Sequence, residues 1–185
     1  DIQKYKDGSD PWGHPNTDWF GECFKKWSAQ NYQNISISGG TDNMKYYLSL
    51  GTKYEDAYYK HSATSFRQYD FRTNIDGRVS KNIDLSFDVS GREENRNFPT
   101  VSQGNIFRML IRGKPNLPAY WPNGLPGPDI EYGFNPVVVS TDATGFDHDR
   151  RYILESNVRV NIKIPWIKGL SVQANGSYDK IFKFE

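Results

Sequence analysis

Polar and apolar residues alternate with a period of two in several stretches of the chain, and this pattern constrains the fold more than any other feature. The clearest stretch has Ile83, Leu85, Phe87 and Val89 at alternate positions, with polar residues between them. Successive side chains of a β-strand point to opposite faces, so each stretch predicts a strand with one apolar and one polar face. About six strands are predicted, at 34–38, 44–50, 68–75, 82–90, 157–164 and 170–179. The predicted fold class is all-β, an antiparallel meander.

Two short helices are predicted outside these strands. Near 18–28, Trp19, Cys23 and other apolar residues recur at helical spacing. A second amphipathic segment near 102–112 ends where Gly113 follows it.

The connections between the predicted strands alternate in length. Those at 39–43, 79–82 and 165–169 are short, whereas those at 55–63 and 92–149 are longer. Short turns on one rim and long loops on the other are typical of an outer-membrane β-barrel. A soluble β-sandwich also has alternating strands, and it remains the alternative from this pattern alone.

Composition is compatible with either fold. The mean hydropathy of −0.76 is low, but a barrel wall alternates lipid-facing with lumen-facing residues and therefore has low average hydropathy. A formal net charge of +1 argues against nucleic acid as a partner. The single cysteine, Cys23, excludes an internal disulfide. If the barrel interpretation holds, the chain is a fragment, because bacterial barrels close with about eight or more strands.

Five segments have a distinctive composition: NTDWF at 16–20, QNYQNISISGG at 30–40, YLSLG at 47–51, RTNID at 72–76 and PAYWPNG at 118–124. Together they resemble the SusC/RagA family of TonB-dependent receptors. The resemblance covers about 16–91 and continues through the last of these segments. It identifies the chain with the start of the family's barrel.

The resemblance implies a large transmembrane β-barrel of 22 strands that encloses a plug. Such receptors import glycan or peptide nutrients across the outer membrane of Bacteroidota, which are Gram-negative. Their partners are a SusD-like surface lipoprotein, the membrane lipid and TonB, which acts through a plug that this chain lacks. The resemblance also implies two parts, a plug-to-barrel connection at 1–31 and a barrel segment at 32–185 with a long extracellular loop at about 92–149.

No catalytic, cofactor or metal site is predicted, and the chain is not expected to be an enzyme. The acidic group of Asp142, Asp147 and Asp149, with His148 among them, is interpreted as a polar loop tip rather than a metal or acid–base site. A glycan-cleaving enzyme would need paired carboxylates on a rigid framework, whereas the acidic residues lie mainly in loops.

Four aromatic residues of the long loop are candidates for contact with a ligand or partner: Tyr120, Trp121, Tyr132 and Phe134. Their rings could stack on sugars or touch the lipoprotein. Packing within the loop itself is the competing interpretation. In the sandwich alternative, which would be a secreted carbohydrate-binding module, the same rings would form a sugar platform.

The charged residues on the polar side of the predicted strands are expected to form cross-strand pairs and to contact the plug. They are Asp70, Arg72, Asp76, Asp84, Asp88, Glu155, Arg159 and Lys163.

Overall fold

The computed structural model describes residues 2–62 and 64–184, and its main element is a six-stranded sheet. The strands are β1 (Gln30–Gly40), β2 (Met44–Asp56), β3 (Ser65–Ser80), β4 (Ile83–Pro99), β5 (Phe146–Lys163) and β6 (Ser171–Phe184). Each strand pairs with its neighbour in sequence, in the order β1-β2-β3-β4-β5-β6. The predicted all-β antiparallel meander is therefore confirmed.

The helical elements are short. They are α1 (Ile2–Asp7), α2 (Trp19–Cys23), α3 (Gln103–Arg112), α4 (Pro136–Val139) and a single 3₁₀ turn (Asp142–Thr144). Among the described residues, no helix has the length and apolar character needed to cross a membrane.

The chain divides into two compact units. The loop unit comprises Asp1–Ala29, Glu55–Ser65 and Arg96–His148. The sheet unit comprises Gln30–Tyr54, Phe66–Asn95 and Asp149–Glu185.

Side-chain contacts between neighbouring strands identify the two faces of the sheet unit. On the polar face, the Asn34 amide donates to Ser49 Oγ at 2.9 Å, and Ser90 Oγ donates to Glu155 at 2.9 Å. On the other face the ring of Phe71 lies over Gly91, where an added Cβ would come within 2.2 Å of the ring. A glycine is required there because the aromatic ring occupies the space of its side chain.

The second face is apolar and exposed, and is called the apolar face below. Its large exposed side chains include Ile35, Ile37, Tyr46, Leu48, Leu50, Tyr69, Phe71, Ile75, Leu85, Phe87, Leu154, Val158, Ile162, Val172 and Tyr178. All the buried hydrophobic side chains in the described part of the chain belong instead to the loop unit. A β-sandwich needs a core between two packed sheets. The described residues, 2–62 and 64–184, therefore do not form the alternative β-sandwich.

The strands are long. The shortest, β1, has 11 residues and the longest, β5, has 18. Strands of soluble proteins have about 5–6 residues on average, whereas a tilted membrane crossing needs about 9–11. Every strand of this sheet reaches the length that a membrane crossing requires.

The connection predicted at 92–149 is shorter in the structure, at 100–145, because both flanking strands continue as polar strands. Arg150 Nε donates to Asn95 Oδ1 at 2.8 Å, and His148 Nδ1 lies 2.6 Å from Asn97 Oδ1. Backbone hydrogen bonds and these polar side-chain pairs stabilise the additional residues of β4 and β5. Apolar and polar residues do not alternate there, so the sequence pattern does not predict these residues as strand.

The helix predicted at 18–28 ends at Cys23, since the residues that follow are paired with another segment. Phe24 has extended backbone angles and forms an isolated bridge with Tyr59. The amide of Lys25 donates to the carbonyl of Tyr58 at 2.8 Å. Asp18 caps the start of α2 by accepting from the amide of Gly21. The second predicted helix, at 102–112, corresponds to α3.

A hydrophobic core lies within the loop unit and joins three stretches that are distant in sequence. Its buried members are Trp19, Cys23, Tyr59, Ile106, Met109, Leu110, Ala119, Ile130, Val137 and Val139. Trp19 is fixed by a hydrogen bond from its indole Nε1 to the carbonyl of Lys114 at 3.0 Å. Burial raises the pKa of the Cys23 thiol and that of the Tyr59 phenol.

We expect Leu110→Ala to destabilise the loop unit by about 2–5 kcal/mol, because Leu110 is only 2% exposed and its removal leaves a cavity. Ile111, the next residue of α3, is 73% exposed and provides the matched control. Hydrogen exchange of the α3 amides in the intact protein would measure both. Equal protection in Leu110→Ala and Ile111→Ala would contradict this core.

Candidate functional site

Trp121, one of the four predicted contact residues, is packed rather than free. Its ring stacks on that of Trp12, with centroids 5.6 Å apart and planes at 19°. Its amide donates to the carbonyl of Leu125 at 2.8 Å, and the turn between them has Gly124 at a φ of +82°. A left-handed backbone at this position favours glycine. Trp12 was not predicted, since neither spacing nor motif connects it with Trp121.

Tyr120 lies at the edge of a hollow of about 510 Å³ in the loop unit. Tyr5 and His14 also line it, and their rings meet edge to face at 4.8 Å. His14 Nδ1 lies 2.8 Å from a carboxylate oxygen of Asp10, and this hydrogen bond holds the pKa of Asp10 below its usual range. Burial raises the pKa of the Tyr120 hydroxyl. Aromatic walls with polar edges suit a small polar ligand such as a sugar or a short peptide.

Tyr132 and Phe134 are separate from this pair. Tyr132 is 82% exposed and Phe134 is 58% exposed. Within the described residues neither ring stacks on another aromatic side chain. Tyr132 has a φ of +63°, which is unusual for a residue with a Cβ, and the neighbouring Glu131 forms an ion pair with Lys114. The structure thus packs the Trp121 ring on Trp12, places Tyr120 at the hollow, and leaves Tyr132 and Phe134 as exposed rings.

Asn135 organises the segment that carries Tyr120 and Trp121. It is 2% exposed, and its amide donates to the carbonyls of Ala119 at 2.9 Å and Gly127 at 3.2 Å. Its Oδ1 accepts from the amide of Val137 and so caps α4. Asn135 was not among the predicted site residues. An asparagine directly before a proline and an apolar run is an N-cap signal that sequence alone could have provided.

The polar face of the sheet unit carries a connected set of hydrogen bonds. The carboxylate of Asp88 accepts from Asn74 on β3 and from Asn157 on β5, the latter at 3.4 Å. Asn157 in turn accepts from Ser177 on β6 at 3.2 Å. Four strands are therefore joined across this face by side chains as well as by the backbone ladder.

The expected cross-strand ion pairs are present at one end of the polar face. Lys163 Nζ lies 3.0 Å from the carboxylate of Asp84, and Arg78 Nε lies 3.4 Å from the same side chain. Arg72 lines two hollows on this face, and within residues 2–62 and 64–184 its guanidinium has no ion-pair partner.

The acidic group near 142–149 does not converge on a point. His148 contacts Asn97, whereas Asp149 is paired with Arg151 at 2.7 Å. In the described part of the chain, no three His, Cys, Asp or Glu side chains are grouped as metal ligands.

Sequence comparison finds two similar proteins of Formosa agariphila. TonB-dependent receptor P26 is 30% identical over 132 residues, which is 71% of this chain and 12% of that protein. TonB-dependent receptor P3 is 28% identical over 143 residues, or 71% and 14%. The chain thus spans 12% to 14% of the length of these curated relatives. No family model matches it.

Two solved structures share the fold. The RagAB peptide importer in the closed-closed state aligns over 90% of this chain and 19% of its own, with a TM-score of 0.68 and 20% identity. The RagAB peptide transporter aligns over 97% and 21%, with a TM-score of 0.68 and 21% identity. At this identity the likeness establishes the fold.

We expect Asn135→Ala to loosen the segment that carries Tyr120, since the carbonyls of Ala119 and Gly127 lose their buried donor at a cost of about 1–3 kcal/mol. Hydrogen exchange at the Gly127 amide should accelerate. Asn105→Ala on α3, where the side chain is exposed, is the control. The assignment of Asn135 would be wrong if both variants exchanged like the parent protein.

Proposed function

We propose that this stretch of a SusC/RagA-type TonB-dependent receptor forms part of the wall of an outer-membrane β-barrel through which a nutrient is imported. One observation carries the proposal: a continuous sheet of long strands has an exposed apolar face, and within the described residues none of the side chains of this face belongs to the buried hydrophobic core. Such a face is stable only when another apolar medium covers it, and bilayer lipid provides that medium.

The two faces then have different surroundings. The apolar face contacts lipid, and the polar face, with Arg72 and the Asp88 network, lines the lumen. A plug inside the lumen would offer partners to Arg72. The hydrogen-bonded polar side chains support this orientation, because the interior face of a transmembrane barrel is polar and its outer face is apolar.

The proposed orientation of the sheet in the membrane follows from the lengths of the connections at its two ends. Short turns would face the periplasm and the long connection would be extracellular, as in other barrels of this type. In the same proposal, residues 1–31 link a preceding plug to the wall, and residues 32–185 are the barrel segment. The whole receptor would be located in the outer membrane of a Gram-negative bacterium and would not be an enzyme.

The proposed cargo is a glycan or peptide fragment, and the proposed partners are a SusD-like surface lipoprotein and TonB. The two RagAB structures are named as those of a peptide importer or transporter, which supports a peptide as one class of cargo. The hollow beside Tyr120 and the exposed rings of Tyr132 and Phe134 are the proposed contact points for cargo or lipoprotein.

We expect Phe87→Arg to prevent or weaken assembly of the full-length receptor in the outer membrane, since an arginine on the lipid face costs about 2–4 kcal/mol near the midplane. Ser86→Arg places the same charge on the opposite face of the same strand and should be tolerated. The amount of folded, heat-modifiable receptor in outer-membrane fractions measures both effects. Equal assembly of the two variants would rule out lipid as the neighbour of the apolar face.

A further inference from the structure

The polar face of the sheet unit contains a hollow of about 320 Å³ that extends from β3 to β6. Amide and hydroxyl side chains line it together with one cation and three carboxylates, which are Arg72, Asp88, Glu155 and Asp179. Elsewhere on this face the charges meet in pairs, as where Lys163 Nζ lies 3.0 Å from Asp84. In the hollow, side chains of opposite charge instead surround a space that admits a small molecule.

The strand order places the opposite charges at opposite ends of this hollow. Ser90 on β4 donates to Glu155 on β5 at 2.9 Å, and Glu155 lies directly opposite Asp179 on β6. Arg72 is on β3, the strand on the far side of β4, and lines the hollow from there. The cation is therefore at the β3 end, and two carboxylates are at the β5–β6 end.

The three carboxylates differ in how far their charge is already engaged. Asp88 accepts from two amides, those of Asn74 and Asn157, and Glu155 accepts from one hydroxyl. Within residues 2–62 and 64–184, the carboxylate of Asp179 has neither a hydrogen bond nor an ion pair. Like charges directly opposite each other on neighbouring strands are destabilising. Glu155 and Asp179 therefore favour a cation placed between them.

A second hollow, of about 530 Å³, adjoins the first and shares Arg72, Ser90 and Glu155 with it. Tyr32 and Tyr47 are among its other lining residues. The two hollows together form a polar trough from β1 to β6, with aromatic rings at one end and carboxylates at the other. A ligand whose charged groups bind in the first hollow can place an apolar side chain beside these rings.

We infer that the first hollow binds a short peptide with free ends. Its N-terminal ammonium lies between Glu155 and Asp179, and its C-terminal carboxylate accepts hydrogen bonds from the Arg72 guanidinium. A neutral sugar would leave the two facing carboxylates without a counter-charge, so the charges favour a peptide over a glycan here. The inference rests on the proposed function, in which this face lines the lumen.

The spacing of the strands sets the length of this peptide. Two strand spacings separate β3 from β5, about 10 Å, and three separate β3 from β6, about 14 Å. An extended tripeptide is about 10 Å long. A tripeptide therefore reaches from Arg72 to the carboxylates of Glu155 and Asp179. Its peptide groups then lie over the side chains of Ser90 and Asn157, which donate and accept hydrogen bonds.

The test uses the full-length receptor purified in detergent and three probes: triglycine, N-acetyl-triglycine and triglycine amide. Ligand-observed NMR measures the dissociation constant of each probe. We expect each capped peptide to bind about 10-fold more weakly than triglycine, since each cap removes one charged hydrogen-bonding end. This comparison is made on the parent protein, so it does not depend on the folding of any variant.

Two variants locate the effect in the hollow. Arg72→Gln should bind triglycine about 10-fold more weakly and bind the amide equally well, while it still discriminates against the acetylated form. Glu155→Gln/Asp179→Asn should show the reverse. The matched controls are Asp76→Asn on β3 and Arg159→Gln on β5, which change exposed charges outside both hollows. Both controls should leave all three dissociation constants unchanged.

Three results would overturn the site. The first is equal binding of triglycine and its two capped forms to the parent receptor. The second is the absence of triglycine binding, since another part of the receptor, such as the plug, then fills the hollow. The third is a capping effect that persists unchanged in both variants, which would put the peptide elsewhere in the receptor.

Failure of the site can be separated from failure of the proposed function. A nitroxide attached at Leu85→Cys, within the apolar face, reports whether that face is in lipid when the receptor is reconstituted in bilayers. A lipid-exposed label together with binding that ignores the caps rejects the site alone. A water-exposed label rejects the barrel-wall function and the site with it.

Discussion

The backbone ladder between neighbouring strands is the interaction on which the rest of the sheet unit depends. It satisfies the peptide groups and at the same time fixes register, so that residues such as Tyr152 and Phe182 face each other across two strands. A shift by one residue would exchange the polar and apolar faces of a strand. Several features depend on this register: the rows of apolar side chains, the contact of the Phe71 ring with Gly91, and the hydrogen bonds of Asp88.

The loop unit is stabilised in a different way. Its core brings Trp19, Tyr59 and the α3 helix together, and the buried amide of Asn135 satisfies carbonyls that no regular element would satisfy. The connection 100–145 is therefore not a flexible loop but a folded segment with its own buried residues. Aromatic side chains presented by such a segment keep defined positions, as a binding surface requires.

Much of the sheet could be predicted from the sequence, since alternation reports directly which strand face is apolar. The polar ends of β4 and β5 could not, because pairs such as Arg150 with Asn95 leave no hydrophobic period. The early end of α2 depends on pairing with Tyr58 and Tyr59, which are distant in sequence. The four aromatic contact residues were predicted only because they are aromatic and lie in the long loop. Only the tertiary structure distinguishes the stacked Trp121 from the exposed Tyr132.

The unequal connections also have a kinetic consequence. Arg78 and Asp84 are 6 residues apart along the chain, whereas Arg150 and Asn95 are 55 apart. Short turns join β1 to β2, β3 to β4 and β5 to β6, and the connection 57–64 joins β2 to β3. Joining β4 to β5 requires the much longer connection 100–145 to close. Loop-closure entropy makes this the slow step. Until it occurs, the facing edges of β4 and β5 are unpaired, and assembly of the sheet is most exposed to mispairing between these two strands.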